Sequence, residues 1–282
     1  ASDDPYFNGE WRSSLTGCWT DPTCNRVMTV SHGGDWNYQY PYDSQPAFER
    51  AYMNSADAVK GDFRVTSDNI GVVMHSSPVK FYESFNCYGK KVEEMTAEEC
   101  TQCKMAYTNY TFTTVPDMLA WAKDMVNVMY CVKESGDIPR AITTIIENGA
   151  QDRAFLEISV SEMLDIATAS DGWDEVYYVI ELKHHDDVSS LLVASKAVLQ
   201  RTFMVEFQNW EEWDGNLDED IELMKSSGIR TFAPTRSSPI TATVQNHLDI
   251  FDEGFQVVYT YNLTNAVDAR QQTNTKGDIS PP

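Results

Sequence analysis

Two of the five histidines in this sequence follow short apolar runs and have the chemistry for acid–base catalysis. His32 follows the run 27–31, and His75 follows the run 72–74. Because an imidazole titrates near neutral pH, one ring of such a pair can accept a proton while the other donates one. The alternative is that each is a partly buried histidine with a structural hydrogen bond. The other histidines stand in charged segments beside predicted helices and are expected at the surface: His184, His185 and His247.

The segments around these histidines have the pattern of an α/β protein. Short runs rich in β-branched and aromatic residues alternate with helix-length amphipathic segments. Eight such repeats favour a closed (β/α)8 TIM barrel over an open sheet, with catalytic residues at the carboxyl ends of the strands. The predicted strands are 27–31, 58–63, 128–132, 154–159, 176–182, 202–207, 229–233 and 255–261. The predicted helices are 116–125, 139–147, 188–199, 217–225 and 241–251.

The chain is predicted to form one domain with two additions. Residues 1–26 are polar and turn-rich and are interpreted as an N-terminal cap, while residues 27–282 form the barrel. A polar insertion at about 76–114 interrupts the alternation after the second strand. This insertion is expected to serve as a lid or a side loop.

Six cysteines predict at least one structural disulfide. They are Cys18, Cys24, Cys87, Cys100, Cys103 and Cys131. The first two bracket a short turn and could close a small loop, and the next three lie in the insertion, where a disulfide would offset a missing core. The C-x-x-C spacing at 100–103 has no second pair or nearby histidine that would complete a zinc site. The pairing stays open, as does whether Cys131 is bridged.

Two N-glycosylation sequons accompany the cysteines. They begin at Asn109 and Asn262, and both asparagines are predicted glycosylation sites. Such sequons are used only in proteins that pass through the secretory pathway. Together with the cysteines they predict a protein that is secreted or lies in the lumen of that pathway.

The charge of the chain excludes some partners. With 43 acidic and 21 basic residues, the net charge is −22, which repels nucleic acid and anionic membrane surfaces. No run of about 18 apolar residues is present, so no membrane-spanning helix is expected. A small molecule is therefore the expected partner.

Three segments resemble a known family. The sequence reads S-H-G-G at 31–34, P-Y-D-S-Q-P-A-F at 41–48, and S-A-D-A-V-K-G-D-F-R-V-T-S-D-N-I-G-V-V-M-H-S-S at 55–77. They resemble the glycerophosphodiester phosphodiesterases, which carry H-R-G, P-E-N-T, G-A-D-x-I-E-x-D-V, T-x-D-G and V-V-x-H-D in this order. The register holds without a gap from Ser55 to His75.

Two later segments are looser matches to the same family. Residues 115–119 resemble its I-P-T-L-E-E helix start, and residues 257–262 resemble its V-x-W-T-V-N strand. The resemblance is weak between 135 and 250. It implies a barrel of the phospholipase C-like phosphodiesterase type.

The resemblance also implies roles for the two histidines. His32 and His75 match the family's general base and general acid on a phosphodiester. A neighbouring hydroxyl of the substrate would attack phosphorus while His32 takes its proton and His75 protonates the leaving oxygen. A cyclic phosphate would be the intermediate or the product. The implied ligand is a small phosphodiester or lipid headgroup, soluble or zwitterionic.

The sequence departs from the family at the positions that hold a divalent cation. The family's E-x-D is here Lys60-Gly61-Asp62, and strand counting puts Cys131-Val132-Lys133 at its third-strand E-x-K. Glu181-Leu182-Lys183 spells that motif better but lies on the fifth strand. Mg²⁺ and Ca²⁺ require oxygen ligands, so we expect no cofactor unless the altered site still binds one of them. Asp62 and Glu181 are the weak candidate ligands.

Two interpretations of this altered site compete. In the first, Lys60 stabilises the charge of the transition state, Lys133 adds a second cation, and Asp62 orients one of these groups. The bacterial phosphatidylinositol-specific phospholipases C resemble such a metal-free case. In the second, the chain is a catalytically inactive pseudoenzyme that binds a ligand or a protein partner. An enzyme should have both histidines facing an open pocket with Lys60 pointing into it.

Aromatic residues follow the first histidine and could line the mouth of the site. Trp36, Tyr38 and Tyr40 are predicted to contact the substrate, with Tyr42 beside them. Two further departures from the family lie nearby, because Gly33 replaces an arginine that binds phosphate and Ser76 replaces an aspartate. Packing of the rings under a loop is the alternative to a role in binding.

Overall fold

The computed structural model describes residues 15, 17–21, 24–235 and 242–277, and these residues form a single (β/α)8 barrel. Its strands, in chain order, are β1 (Met28–His32), β2 (Ala58–Val65), β3 (Gly71–Val73), β4 (Thr113–Thr114), β5 (Asn127–Val132), β6 (Ala154–Ser159), β7 (Tyr177–Leu182), β8 (Thr202–Phe207), β9 (Arg230–Pro234) and β10 (Val257–Thr260). All except β3 and β4 are parallel barrel strands. The barrel closes because β1 pairs with both β10 and β2.

Helices follow the barrel strands and cover their outer faces. They are α1 (Gln45–Met53), α2 (Ala97–Thr101), α3 (Val115–Ala122), α4 (Ile138–Glu147), α5 (Val160–Asp165), α6 (His185–Leu192), α7 (Lys196–Arg201), α8 (Leu217–Ser226), α9 (Val244–Asp252) and α10 (Leu263–Gly277). Among the described residues, no helix is both long and apolar enough to cross a membrane.

Side-chain caps fix where several of these helices begin. Thr114 accepts a hydrogen bond from the backbone of Asp117 at the start of α3, and Pro116 stands in the first turn. Ser159 and Glu162 form a reciprocal capping box at the start of α5. These caps end the preceding strand and turn the chain outward, so the strand ends stay at the mouth of the barrel.

The prediction of eight barrel strands is confirmed, since each predicted segment overlaps one of them in the same order. The predicted helix 188–199 is instead the pair α6 and α7, and Ser195 caps the second of the two. The helix predicted at 241–251 begins at Val244, and position 241 lies outside the described residues. Elements that the sequence did not predict are β3, β4, α1, α2, α5 and α10.

The amino-terminal end of the barrel is closed by the cap segment. The Trp19 ring packs 6.2 Å from the rings of both Phe155 and Phe203, which start β6 and β8. Arg230 donates hydrogen bonds to the backbone carbonyls of Trp19, Asp21 and Cys24. The lower barrel is therefore filled with apolar side chains, and the open end is the carboxyl end of the strands.

The insertion between β2 and β5 is a compact subdomain with a small core. The strands β3 and β4 extend β2 in antiparallel fashion. The insertion therefore begins after Val65 rather than at about residue 76. A disulfide joins Cys87 to Cys103, and Cys100 is buried beside it as a free thiol. The short loop expected between the first two cysteines is closed by the bond from Cys18 to Cys24.

Candidate active site

The candidate site is built on four adjacent strands at the carboxyl end of the barrel. His32 ends β1 and is in register with Lys60 on β2. Asp62, two residues further along β2, is in register with Cys131 on β5, which in turn is in register with Glu157 on β6. Strand order thus puts Cys131 and Lys133 at the end of the third barrel strand.

The Lys60 ammonium is buried among partners inside the barrel. Its Nζ lies 2.8 Å from a carboxylate oxygen of Glu157 and donates to the Tyr259 hydroxyl at 2.7 Å. Burial alone would lower the pKa of Lys60, but the surrounding acidic groups, of which Glu157 contributes most, together outweigh burial and raise the pKa well above the usual value. Lys60 therefore stays charged. It lies behind the wall of the open cavity rather than in it.

A second ion pair lies beside the first. Lys133 Nζ is 2.7 Å from one oxygen of Asp62, whose other oxygen accepts a hydrogen bond from the Tyr42 hydroxyl at 3.1 Å. Burial opposes ionisation of Asp62, yet Lys133 and Lys60 hold its pKa below the usual value. Burial and the Asp62 charge raise the pKa of neighbouring Asp43 well above its usual range. The pKa values of the two neighbouring carboxyls are thus shifted in opposite directions.

Three glutamates extend this polar layer across the barrel. Glu157, Glu181 and Glu206, on β6, β7 and β8, have carboxylate oxygens within 4.8 Å of one another. Burial and the Glu157 charge raise the pKa of Glu206 well above its usual range, whereas Lys60 holds the pKa of Glu157 below its usual range against the effect of burial. The carboxylate of Glu181 contacts Lys183 at 3.3 Å and Gln208 at 3.0 Å.

His32 lies among three tyrosine rings. The ring centroids of Tyr259 and Tyr261 are 4.1 and 4.2 Å away, and Tyr42 packs edge-on at 5.4 Å. Its Nδ1 is buried and forms no hydrogen bond with the residues that the structure describes. Burial is the largest cause that lowers the pKa of His32 well below 6.5, and the charges of Lys60, Lys133 and His75 add to it. The ring is therefore neutral near neutral pH and able to accept a proton.

His75 reaches the mouth from the insertion and not from a barrel strand. It follows β3, and its backbone carbonyl accepts a hydrogen bond from Arg64 Nε at 2.9 Å. The half-exposed ring places Nδ1 at 3.0 Å from the Ser76 hydroxyl and 3.7 Å from a carboxylate oxygen of Glu83. Glu83 thus offers the carboxylate that the family has at the position of Ser76.

The Tyr42 ring contacts both histidine rings, and Gly33 makes room for it. Its centroid lies 5.4 Å from that of His32 and 6.0 Å from that of His75. A Cβ atom at Gly33 would lie 2.1 Å from the Tyr42 ring, and the φ of +67° at Gly33 also disfavours any side chain there. Tyr42 therefore fills space next to the position of the family's arginine. Its position in the P-Y-D-S segment, one residue after Pro41, is the sequence feature that could have indicated a role for Tyr42 in the site.

Both histidines line one open cavity of about 840 Å³. One side of the wall consists of residues from the segment after β1, including Trp36 and Tyr38, and the other comes from the insertion. The predicted contact residue Tyr40 instead packs under the Arg50 guanidinium, 5.2 Å from the ring centroid. Trp36 Nε1 is buried in this wall with no hydrogen-bond partner among the described residues.

The side chains at the implied metal position do not fit a divalent cation. An ammonium, Lys60, stands where the family has a carboxylate, and both oxygens of Asp62 are engaged by Lys133 and Tyr42. Burial raises the pKa of Cys131 well above its usual value, and a protonated thiol is a poor ligand for Mg²⁺ or Ca²⁺. The weak candidate ligand Glu181 belongs to the separate glutamate group described above.

Other predicted positions have mixed outcomes. The surface prediction is wrong for His247, which is fully buried and hydrogen-bonds with the Thr260 hydroxyl and the Thr243 carbonyl. His184 and His185 are exposed as predicted.

The two predicted glycosylation sequons differ in exposure. Asn109 is exposed, whereas Asn262 is partly buried in the cavity wall, and its side-chain oxygen accepts a hydrogen bond from the backbone of Asn265.

The barrel and its histidine-lined cavity are those of a phosphodiesterase-like TIM-barrel protein, and sequence comparison agrees. The sequence model of the glycerophosphoryl diester phosphodiesterase family matches residues 36–214, well over half of the chain. The chain therefore belongs to this family. His32, β9 and β10 lie outside the matched residues. No curated protein matches the chain.

Solved structures with the same fold are distant in sequence. A glycerophosphoryl diester phosphodiesterase from Parabacteroides distasonis is 16% identical, with a TM-score of 0.74 over 91% of this chain and 90% of that one. A phosphodiesterase from Oleispira antarctica, in complex with the product sn-glycerol-3-phosphate, is 13% identical, with a TM-score of 0.67 over 86% and 96% of the two chains. A putative glycerophosphodiester phosphodiesterase from Galdieria sulphuraria is also 13% identical, with a TM-score of 0.68 over 87% and 98%. At these identities the likeness establishes the fold.

Proposed function

We propose that this family member is a metal-independent phosphodiesterase or lyase that acts on phospholipid-headgroup diesters with His32 and His75. The observation that carries the proposal is that both histidines line one open cavity and both contact the Tyr42 ring. A filled or covered pocket would instead have been typical of a site that has lost its substrate.

The proposed reaction uses the two rings in opposite protonation states. A substrate hydroxyl next to the phosphodiester attacks phosphorus, and neutral His32 accepts the hydroxyl proton as the new P–O bond forms. The opposite P–O bond breaks, and the leaving oxygen takes a proton from His75, whose charged form faces the Glu83 carboxylate. The products are a cyclic phosphate and the released alcohol. Water can then open the cyclic phosphate, with the two histidines in exchanged roles.

Lys60 and Lys133 supply positive charge behind the cavity wall. Both ammoniums act to keep His32 unprotonated, which a general base requires. Their field also favours the negative charge that develops on the phosphoryl oxygens. In this proposal no divalent cation is needed, and Asp62 holds Lys133 in place.

The substrate is proposed to be zwitterionic or neutral overall. The net charge of −22 disfavours polyanionic ligands, and the wall contains aromatic rings, among them Trp36 and Tyr38, that can contact a choline-like group. In the Oleispira antarctica relative the bound product is sn-glycerol-3-phosphate, a phosphate ester of the headgroup class proposed here.

The two disulfides support secretion, and the exposed Asn109 is the better candidate for a glycan.

One observation favours the second candidate, an inactive binding protein. Lys60 and Lys133 are each neutralised by a carboxylate, Glu157 and Asp62, and Lys60 is not part of the cavity wall. A cavity of this kind could still bind an anionic headgroup without turning it over. Activity decides between the two candidates.

The test is cleavage of a panel of diesters by the purified protein, followed by ³¹P NMR. The panel holds glycerophosphocholine, lysophosphatidylcholine and phosphatidylinositol. Turnover of any of them with a cyclic phosphate signal would support the proposed reaction. Folded protein that binds a diester but releases no product would instead establish the binding protein.

The pH dependence of catalysis should reflect the environment of His32. Because its pKa lies well below 6.5, the acid limb of kcat/KM should have its midpoint below pH 6.5. The contribution of His32 to the free energy of unfolding should likewise decrease as the pH drops below 6.5, since His32 binds a proton more readily in the unfolded chain than in the folded one. A pH–rate profile checks the first expectation. An acid limb centred above 6.5 would mean that His32 is not the base.

A further inference from the structure

The insertion exposes an unusual number of aromatic side chains. Of the ten large apolar or aromatic residues that are exposed among the described residues, six belong to the segment 81–110. Four of them, Phe81, Phe85, Tyr88 and Tyr107, are between 44% and 73% exposed. Exposed rings in this number mark a surface that contacts something apolar.

These four rings form one continuous surface, called here the aromatic patch. Phe81 contacts Phe85 with a centroid distance of 4.7 Å and Tyr88 at 5.7 Å. Phe85 in turn meets Tyr107 at 4.9 Å. The patch is therefore a row of packed rings rather than scattered side chains.

The aromatic patch continues into the wall of the catalytic cavity. Tyr107 belongs to both, and Tyr82, next in the chain to Phe81, also lines the cavity. The wall on this side also includes the apolar residues Met105 and Phe112, together with Glu83 next to His75. A molecule that rests on the patch thus lies at the mouth of the cavity that His75 lines.

The patch is held on a rigid support. The disulfide from Cys87 to Cys103 ties together the two segments that carry it, and a buried cluster that includes Val79, Val92 and Met105 lies in the insertion. A preformed surface loses little conformational entropy when it binds.

The charge of the insertion differs from that of the rest of the chain. Residues 76–114 contain four lysines and five glutamates and are nearly neutral, while the whole chain carries −22. Lys80, Lys90 and Lys104 are exposed and close in sequence to the rings of the patch. The insertion therefore carries little of the negative charge that would repel the phosphate groups of a lipid interface.

We propose that the aromatic patch docks on the surface of a zwitterionic lipid assembly and presents its headgroups to the cavity. Tyrosine suits a membrane interface because its ring contacts acyl chains while its hydroxyl stays hydrated, and a phenylalanine ring can be buried in the same apolar layer. The lysines can contact lipid phosphates. The choice of a phospholipid rests on the proposed function, but docking itself requires no turnover.

A second copy of the chain is a weaker candidate for the partner. Two patches facing each other would cover both cavity mouths, because Tyr107 belongs to patch and cavity alike. A glycan on Asn109, two residues beyond Tyr107, would also screen the patch. The experiment therefore uses Asn109→Gln protein as the background for every variant.

The experiment measures sedimentation of the full chain with phosphatidylcholine vesicles. The patch variant carries Phe81→Ser and Phe85→Ser, neither of which lines the cavity. The matched control carries Val193→Ser and Leu223→Ser, two exposed apolar residues on other elements. We expect the unsubstituted patch to bind, the patch variant to bind at least roughly tenfold more weakly, and the control to bind within about twofold of the parent.

Three outcomes would overturn the proposal. They are an unsubstituted patch that does not bind vesicles, a patch variant that binds as well as its parent, and a dimer that becomes monomeric only in the patch variant. Cleavage of water-soluble glycerophosphocholine, measured in parallel, should be equal in all variants. Turnover without vesicle binding would leave the catalytic proposal intact and remove the docking proposal. Vesicle binding without turnover would leave the docking proposal intact and remove the catalytic proposal.

Discussion

Replacement of His32 by alanine is expected to lower kcat for phosphodiester cleavage by roughly 10² to 10⁴, the range typical of a lost general base. The ring is neutral, half-buried among tyrosines, and has an Nδ1 without a hydrogen-bond partner among the described residues. Its removal should change KM much less than kcat, because the substrate hydroxyl gives up its proton only in the transition state. Initial rates on glycerophosphocholine, or on the best diester of the panel, measure the effect.

The matched control is His184→Ala, which removes an exposed histidine that pairs with Asp214 away from the cavity. Its kcat should equal that of the parent. Circular dichroism and thermal unfolding establish that both variants are folded. A His32→Ala protein that is folded and retains a kcat within a few fold of the parent would remove His32 from the mechanism.

Replacement of Lys60 by methionine should destabilise the fold by about 3–5 kcal/mol, as expected when one partner of a buried ion pair is removed. The substitution leaves the buried Glu157 carboxyl without the cation at 2.8 Å that holds its pKa down, and it also removes the hydrogen bond to Tyr259. Denaturant unfolding near pH 7 gives the free energy. Activity should fall as well, because the site then loses one of the two positive charges proposed to favour the developing charge on the phosphoryl oxygens.

A double-mutant cycle separates the ion pair from general packing damage. Adding Glu157→Gln to Lys60→Met removes the unpaired carboxylate, so the double variant should be more stable than Lys60→Met alone. Surface substitution Lys91→Met, which breaks an exposed pair with Glu94, is the control and should change stability little. If Lys60→Met costs no more than this control, the buried pair does not have the role assigned to it.

The strand order could be predicted because it depends on local patterns. Buried parallel strands are short apolar runs, and the caps and stops between them lie within a few residues in the sequence. Counting strands therefore put Cys131 on the third barrel strand and Glu181 on the fifth, where the structure has them. The family motif then indicated which strand ends carry His32 and Lys60.

The partners of the charged residues could not be predicted, because they are set by closure of the barrel. Lys60 meets Tyr259 from a strand 199 residues away and Glu157 from the fourth barrel strand. Nothing in the sequence near either residue signals this contact. The same holds for His247, whose polar surroundings in the sequence hide a buried face that packs on β10. The short strands β3 and β4 were missed because two or three residues are too few to have a detectable hydrophobic periodicity.

The most direct test of metal-independent catalysis is diester turnover by the unsubstituted protein after exhaustive dialysis against EDTA, with and without added Mg²⁺ or Ca²⁺. We expect a kcat that EDTA leaves unchanged and that neither cation raises, because an ammonium stands at the implied metal position. Loss of turnover in EDTA, with recovery when a cation is added, would contradict it. Glu181→Gln would then show whether the group of three glutamates holds that cation.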